Sequence, residues 1–267
     1  MITHLCDLRA GFIYLSIGSL GESSLEGIIS IIPLIFVGDK MFDRITSLLG
    51  EENVNKIKKT TVLIVGVGGV GGFAFESLVR SGIGNFVLID SDTIEESNLN
   101  RQIISNSKNI GNNKVDEARN RGLLINPECK IETIQTFLSN DNKDILDKYE
   151  FDYIVDACDS VQAKKILIDY SLENDIKLIS SMGTAKKMDP TKLEIIDIRK
   201  TSYDPLAKIL RKYVMDKKTN KKVYVVSSTE APIKSEVLPS MIFVPSVAGI
   251  LCANFIINDI IKKDIEN

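Results

Sequence analysis

The hydrophobic pattern of this chain changes character twice. From residue 41 to about 182, short β-branched runs alternate with stretches of helical spacing. Phe42, Ile45, Leu48, Leu49, Val54 and Ile57 recur at helical intervals over 42–58, with Gly50 breaking the run. A regular series follows: strand 61–65, helix 69–81, strand 86–90, an irregular polar stretch, helix 113–125, strand 131–136, helix 141–148, strand 152–156, helix 160–173 and strand 176–180. Such alternation predicts a mostly parallel sheet covered by helices on both faces. After Gly183 the period shifts, and residues 193–198 and 222–227 alternate as strands. Between them Asp204-Pro205 opens a helix, with Asp as the cap and Pro in the first turn. An apolar helix closes the chain from about Ser246 to Lys263. The later strands are expected to extend the sheet in the antiparallel sense.

Residues 1–40 follow neither pattern. Their apolar stretch, Ile28 to Val37, is short and interrupted by Pro33, so stable membrane insertion is not expected. No basic cluster and small-residue cleavage site frame it as a secretory signal. Val37-Gly38-Asp39-Lys40-Met41 can be encoded with AGGAG shortly before ATG, the form of a bacterial ribosome-binding site read through as protein. The expectation is an atypical extension over 1–40 ahead of a native start at Met41, and a single domain over 41–267.

Composition narrows the chemistry. With 267 residues and 44% hydrophobic content, the chain can bury a full core without staples. Four cysteines, Cys6, Cys129, Cys158 and Cys252, form no Cys-x-x-Cys pair, which points to a reducing, cytoplasmic address. A single histidine, His4, disfavours histidine catalysis and histidine-rich metal sites. Carboxylates, Lys, Arg, backbone amides and bound cations remain.

GVGGVGG at 66–72 sits at the first strand-to-helix turn. Gly66-x-Gly68-x-x-Gly71, with Gly69 between, allows the close backbone approach and exposed helix N-terminus that hold a phosphate. Asp90, at the end of the second strand, stands where an acid bonds a ribose hydroxyl. These features alone fit a nicotinamide oxidoreductase and a nucleotide-dependent ligase alike. DSDTIEESNLNRQ at 90–102 separates them, because it gathers Asp92, Asn98, Asn100, Arg101 and Gln102 near the carboxyl edge of the sheet. Arg101 and Lys114 supply cations at phosphate height, and Asp156-Ala157-Cys158-Asp159, at the end of the fourth strand, places a carboxylate where magnesium can bridge phosphates.

GVGGVG, DSDTIEESNLNRQ, the Lys114 helix and DACDS together resemble the adenylation domain of the ubiquitin-activating superfamily, over roughly 41–265. That superfamily includes bacterial enzymes that adenylate sulfur-carrier proteins. The resemblance implies a Rossmann-like α/β fold, mostly parallel and extended by antiparallel strands in the C-terminal half. It implies ATP and Mg2+ as cofactors, Asp90 on the ribose, Asn98, Arg101 and Lys114 on phosphates, and Asp159 on the metal. It also implies a homodimer in which Arg44 reaches the partner's ATP; a plain surface arginine is the competing reading.

NPEC at 126–129, DACDSVQAKK at 156–165, MGTAKKMDP at 182–190, KTSYDPLA at 200–207 and STEAPI at 228–233 are similar to the tRNA threonylcarbamoyladenosine dehydratases. That family cyclises a modified adenosine beside the anticodon at the expense of ATP. Charge agrees: residues 184–222 hold 12 Lys plus Arg against 5 Asp plus Glu, a net +7, which leaves −10 for the rest of a chain totalling −3. Segregation of this kind points to a polyanion such as tRNA. Cys158 is read as a small residue at a strand end and Cys252 as core, so no transfer thiol is expected. Asp159 has a second reading, as the cap of helix 160–173. Two alternatives stay open: an adenylyltransferase for a ubiquitin-like sulfur-carrier protein, with sulfur-transfer partners, and a non-catalytic ATP- or RNA-binding module.

Overall fold

The computed structural model describes residues 6–7, 12–13, 38–236 and 239–262. The apolar stretch Ile28 to Val37 and nearly all of the 1–40 extension lie outside the described residues. A helical turn, Gly38–Met41, leads into α1 (Asp43–Leu49) and α2 (Glu51–Lys59). Gly50 separates these two helices at φ +80°, the break expected from its position in the periodic run.

Seven strands form one sheet. They are β1 (Thr61–Val65), β2 (Asn85–Ile89), β3 (Lys130–Ile134), β4 (Tyr153–Asp156), β5 (Lys177–Ser181), β6 (Leu193–Asp197) and β7 (Tyr224–Ser228), in the order β3-β2-β1-β4-β5-β7-β6. The connecting helices are α3 (Gly71–Arg80), α4 (Lys114–Ile125), α5 (Val161–Asn174), α6 (Pro205–Asp216) and α7 (Phe243–Lys262). The segment expected as a helix at 141–148 is instead a 3-10 turn, Lys143–Lys148.

Successive residues of β1 bury on opposite faces. Val62 and Ile64 pack with Phe75 and Leu78 of α3, Ala118 of α4 and Ala248 and Cys252 of α7. Leu63 and Val65 pack with Ala163 and Leu167 of α5 and Leu210 and Val214 of α6. A strand covered on both sides reads as an unbroken apolar run, which is what residues 62–65 are. Removing one such side chain, as in Leu63→Ala, carries a cost of about 2–5 kcal/mol.

The expectation of antiparallel extension holds for one strand pair. β6 pairs antiparallel with β7, whereas β7 itself pairs parallel with β5. The reason lies in α6, whose cap Asp204 lies against Gly183 beyond the end of β5. The helix therefore starts at the carboxyl edge of the sheet and returns the chain to the amino edge, from which β7 runs parallel to its neighbour.

Among the described residues one helix, α7, is long and apolar enough to cross a membrane. It is a core helix here. Val244, Ala248, Cys252, Ala253, Ile256 and Ile260 are buried along it, and Gly249 packs so closely that a Cβ there would lie 2.3 Å from the Val70 carbonyl. It begins at Phe243, three residues earlier than its spacing suggested, with Pro245 tolerated in the first turn.

The chain passes from β1 outward to β2 and β3, then crosses back to β4 on the other side of β1. Strand order thus reverses between β1 and β4. In open sheets of this type the crevice beyond the carboxyl ends of the strands at such a point is the usual ligand site.

Candidate functional site

A cavity of about 390 Å³ lies at that crevice. It is lined by Gly66, Gly68, Gly69, Asp90, Asp92, Asn98, Arg101, Gln102, Lys114 and Asp159, ten of the residues singled out in the sequence. The glycine loop divides into two pairs. Gly66 adopts φ +88°, and a Cβ on it would lie 2.7 Å from the Ala157 carbonyl. A Cβ on Gly71, the first residue of α3, would lie 1.8 Å from the Gly66 carbonyl. Those two glycines close the strand-to-helix turn.

Gly68 and Gly69 differ. A Cβ on Gly68 would meet only the Gln102 side chain, at 3.6 Å, and one on Gly69 would come no closer than 3.4 Å to Pro245. Neither residue has a positive φ. Nothing among the described residues requires their bare backbone, yet both line the cavity. Space kept open there suits the close approach of a phosphate to backbone N–H groups at a helix N-terminus.

At the end of β2, Asp90 holds the loop in place. One carboxyl oxygen accepts from the Val67 N–H at 2.6 Å and the other from the Asp92 N–H at 2.8 Å. Burial pushes the Asp90 carboxyl above its ordinary range, and the two backbone donors and Lys114 offset only part of that. Lys114, at the start of α4, is buried and donates to Asp92 at 2.7 Å. That bond holds the Asp92 carboxyl below its ordinary range, against a smaller opposing effect of burial.

A 3-10 turn, Glu96–Asn98, opens the SNLNRQ segment, and the bonds around it fix which atoms remain available. The Asn98 side-chain oxygen accepts from the Glu95 N–H at 3.1 Å, while its Nδ2 makes a 3.4 Å contact with Ser97 Oγ. Arg101 Nη1 donates to the Ser97 carbonyl at 2.7 Å and to Asn100 Oδ1 at 2.9 Å, which leaves the rest of the fork open. Gln102 is buried, and its Oε1 has no hydrogen-bond partner. That oxygen is enclosed, and the Nε2 of the same amide is the end that lies toward Gly68.

Beyond β4 the sequence DACDS separates into distinct roles. Asp156 is fully buried, where it accepts from Lys164 Nζ at 3.0 Å and Ser180 Oγ at 2.6 Å. Lys164 also donates to Ser180 Oγ at 3.2 Å and to the Ser181 carbonyl at 2.8 Å. Burial works against the Lys164 charge, but the Asp156 carboxylate outweighs it and keeps the ammonium protonated. The thiol of Cys158 donates to Asp156 at 3.1 Å, and burial together with that negative charge pushes it well above its ordinary value. A thiol held protonated in this way is a poor nucleophile. Asp159 is exposed and lines the cavity without a hydrogen bond or ion pair among the described residues. The cap of α5 is Ser160, which accepts from the Ala163 N–H at 3.3 Å, so the capping reading of Asp159 is not borne out.

Arg44 is not brought to this cavity. It is exposed on α1, next to the helix-entry residue Phe42, whose ring lies against Gly82 in the turn that precedes β2. That turn is at the amino edge of the sheet, opposite the cavity.

The basic segment 184–222 is less free than its composition indicated. Lys187, Lys192, Arg199, Lys217 and Lys221 each have a carboxylate partner, and two of those, Asp169 and Asp175, lie outside the segment. Lys200, Lys208, Lys212, Lys218 and Lys222 are exposed and form no ion pair among the described residues. Lys187 and Asp204 are joined at 3.0 Å and both are nearly fully buried, while Asp204 caps α6 through the Ala207 N–H at 2.9 Å. This pair ties α6 to Thr184 and Ala185, which form one wall of the cavity.

Sequence reasoning missed that wall and another. Phe137 and Leu138, in the loop after β3, also line the cavity. Phe137 is half exposed, and an aromatic side chain directly after a strand at the carboxyl edge was a signal that could have been read. The buried Lys164–Asp156 pair carried no such signal, because eight residues separate its members across a loop and a helix start.

The ThiF family model matches residues 42–264. The chain is 38% identical over 244 residues to a tRNA threonylcarbamoyladenosine dehydratase of Bacillus subtilis, covering 84% of this chain and 96% of that one. It superimposes on the crystal structure of the E. coli tRNA N6-threonylcarbamoyladenosine dehydratase in complex with ATP with a TM-score of 0.80 and 31% identity, covering 85% and 96% of the two chains. The AMP complex of the E. coli protein gives a TM-score of 0.78 and 32% identity, over 83% of this chain and 94% of that one.

Proposed function

The chain belongs to the ThiF family, and from that premise we propose that it is an ATP-dependent tRNA threonylcarbamoyladenosine dehydratase. The observation that carries this reading is the bare backbone of Gly68 and Gly69. It faces a cavity whose other walls offer two cations, Arg101 and Lys114, and the exposed carboxylate of Asp159. The likeness to the dehydratase of Bacillus subtilis across nearly its whole length supports tRNA as the second substrate.

ATP is the co-substrate, and the residues fit it from both ends. Asp90 has carboxyl lone pairs left for ribose hydroxyls after tethering the loop, and Phe137 and Leu138 give the base an apolar wall. The N–H groups of the glycine loop, Asn98 Nδ2, the free part of the Arg101 fork and Lys114 converge as donors on the phosphates. Magnesium bound with the nucleotide would be held by Asp159 together with phosphate oxygens and would neutralise charge there. These donors stand ready before reaction, which is where electrostatic stabilisation is most effective.

With the triphosphate held, the threonyl carboxylate of the modified base attacks the α-phosphorus and pyrophosphate leaves. The carbamoyl group of the same base then attacks the activated carboxyl carbon, and AMP departs with the former carboxylate oxygen. One water is lost overall, and no protein thioester is needed. Positioning by the cavity walls and charge stabilisation by Arg101 and Lys114 supply most of the rate.

The same reading assigns the exposed lysines of 184–222 to the tRNA backbone, and Arg44 to the cavity of a second copy in a homodimer. Support for the latter is that Arg44 is exposed and lies outside its own chain's cavity. The work is placed in the cytosol, consistent with free Cys129, Cys158 and Cys252. ATP–pyrophosphate exchange tests the substrate class. The expected exchange depends on tRNA carrying threonylcarbamoyladenosine; exchange that requires instead a small protein ending in Gly-Gly would replace this reading with sulfur-carrier adenylation.

A further inference from the structure

Tyr203 has a combination of properties that the folded chain does not explain. It is 66% exposed and adopts φ +57°, a left-handed conformation that is unfavourable for a bulky residue. Its hydroxyl and ring have no hydrogen bond or ring contact among the described residues. The protein thus holds a large aromatic side chain mostly in water, on a strained backbone. Strain of this sort collects at ligand contacts and persists only where the surroundings impose it.

The surroundings here are rigid. On one side, Thr201 is buried, donates to the Ile198 carbonyl at 2.7 Å and accepts from Arg211 at 3.1 Å. On the other, Asp204 is locked to Lys187 and caps α6, so the ring is carried between two fixed neighbours. Position adds the second element. The Asp204 carboxylate lies within 2.9 Å of where a Cβ on Gly183 would stand, and the next two residues, Thr184 and Ala185, line the ATP cavity. Tyr203 thus directly precedes a residue that touches Gly183, the neighbour of the cavity-wall residues Thr184 and Ala185. Exposed Lys200 precedes it by three residues and exposed Lys208 follows it by five, neither in an ion pair among the described residues.

An exposed, pre-positioned aromatic ring with free cations on either side of it along the chain suits single-stranded nucleic acid: the ring stacks on a base and the cations follow the backbone. We propose that Tyr203 is a substrate-binding residue whose ring stacks on an unpaired nucleobase of the tRNA at the mouth of the cavity, with Lys200 and Lys208 on the flanking phosphates. This rests on the dehydratase reading and extends it to a named contact. Stacking on the ring gives purchase without base identity. It fits a substrate loop whose bases must be splayed for one of them to present its carboxylate to ATP.

The test compares wild type with Tyr203→Phe, Tyr203→Leu and Tyr203→Gly in three measurements. These are the affinity for a fluorescent anticodon stem-loop RNA, kcat and KM for cyclisation with tRNA and ATP varied separately, and the thermal midpoint. Loss of one stacked base is worth about 5- to 150-fold in affinity. The Leu and Gly variants are expected to bind the stem-loop that much more weakly and to show a raised KM for tRNA, with the KM for ATP unchanged. The Phe variant keeps the ring and is expected to stay within about threefold of wild type. Glycine is unstrained at this φ, so Tyr203→Gly is expected to melt within about 2 °C of wild type, which a merely structural tyrosine would not allow. Wild-type affinity for the stem-loop in the Leu and Gly variants overturns the proposal, as does an equal loss in the Phe variant or a parallel loss of ATP binding. Failure of wild type to cyclise any tRNA would sink the dehydratase reading instead, while the stem-loop binding comparison still decides the stacking contact.

Discussion

Substituting alanine for the loop glycines one at a time should separate those that build the fold from those that hold the nucleotide. In Gly66→Ala the new Cβ is forced into a left-handed conformation, which costs about 1–2 kcal/mol. It also lies 2.7 Å from the Ala157 carbonyl, a backbone atom that cannot swing aside. A loss of at least about 2 kcal/mol follows, or a fall in thermal midpoint of about 4–8 °C for a domain of this size. Gly71→Ala should be worse, since its Cβ would overlap the Gly66 carbonyl at 1.8 Å. Gly68→Ala should leave the midpoint within about 2 °C of wild type, because its only neighbour is a side-chain amide at 3.6 Å. That methyl group nonetheless occupies the space proposed for a phosphate. ATP should then bind at least about tenfold more weakly, or about 1.4 kcal/mol. Differential scanning fluorimetry gives the midpoints and calorimetric titration with a non-hydrolysable ATP analogue gives the affinity. If Gly68→Ala binds the analogue as tightly as wild type, or melts as early as Gly66→Ala, the division of the loop into two pairs is wrong.

Three further perturbations probe other parts of the account. Asp159→Asn should lower kcat for AMP formation at least about 100-fold while leaving the midpoint unchanged, since the side chain is exposed and unpaired among the described residues; turnover near wild type would remove Asp159 from the site. Lys164→Met leaves Asp156 charged and fully buried, so urea unfolding should show a loss of about 3–5 kcal/mol, and a loss below about 1 kcal/mol would mean that the pair is not the internal support described. Burial favours the neutral form of Glu76, but its bonds to Arg121 and Arg80 outweigh that and hold its carboxyl below the ordinary value of 4.5. A depressed carboxylate contributes stability that is full above 4.5 and disappears as pH falls through its lower folded value. Glu76→Gln should therefore be less stable than wild type near neutrality and converge with it in acid, and a gap independent of pH would show that packing rather than charge is at stake.

How much of this was legible in the sequence depends on what each feature rests on. The strands β1, β2 and β4 were readable because a doubly covered strand is apolar along nearly its whole length, as Val62 to Val65, Phe86 to Ile89 and Tyr153 to Val155 are. Ten cavity residues were readable because a phosphate site draws on glycines and cations at fixed places relative to strand ends. The direction of β7 was not, because alternation along 222–227 is the same for either pairing sense and only the return of α6 to the amino edge decides it. Periodicity could not tell a 3-10 turn from an α-helix at 143–148 either. Asp159 and Ser160 are both good caps, and local sequence could not say which would take the Ala163 N–H. Ion pairs such as Lys187–Asp204 were out of reach, since they depend on two loops meeting beyond β5. That matters for function. The basic count of 184–222 overstated its free charge, and only the structure shows which lysines are left for a polyanion.

The central claim is the cyclisation itself. Purified protein is incubated with tRNA carrying threonylcarbamoyladenosine, ATP and magnesium, the tRNA is digested, and the modified nucleoside is weighed by mass spectrometry while AMP and pyrophosphate are counted. The expected product is a nucleoside lighter by one water, with one AMP and one pyrophosphate released for each conversion. A nucleoside of unchanged mass under conditions in which the protein binds both ATP and the tRNA would contradict it.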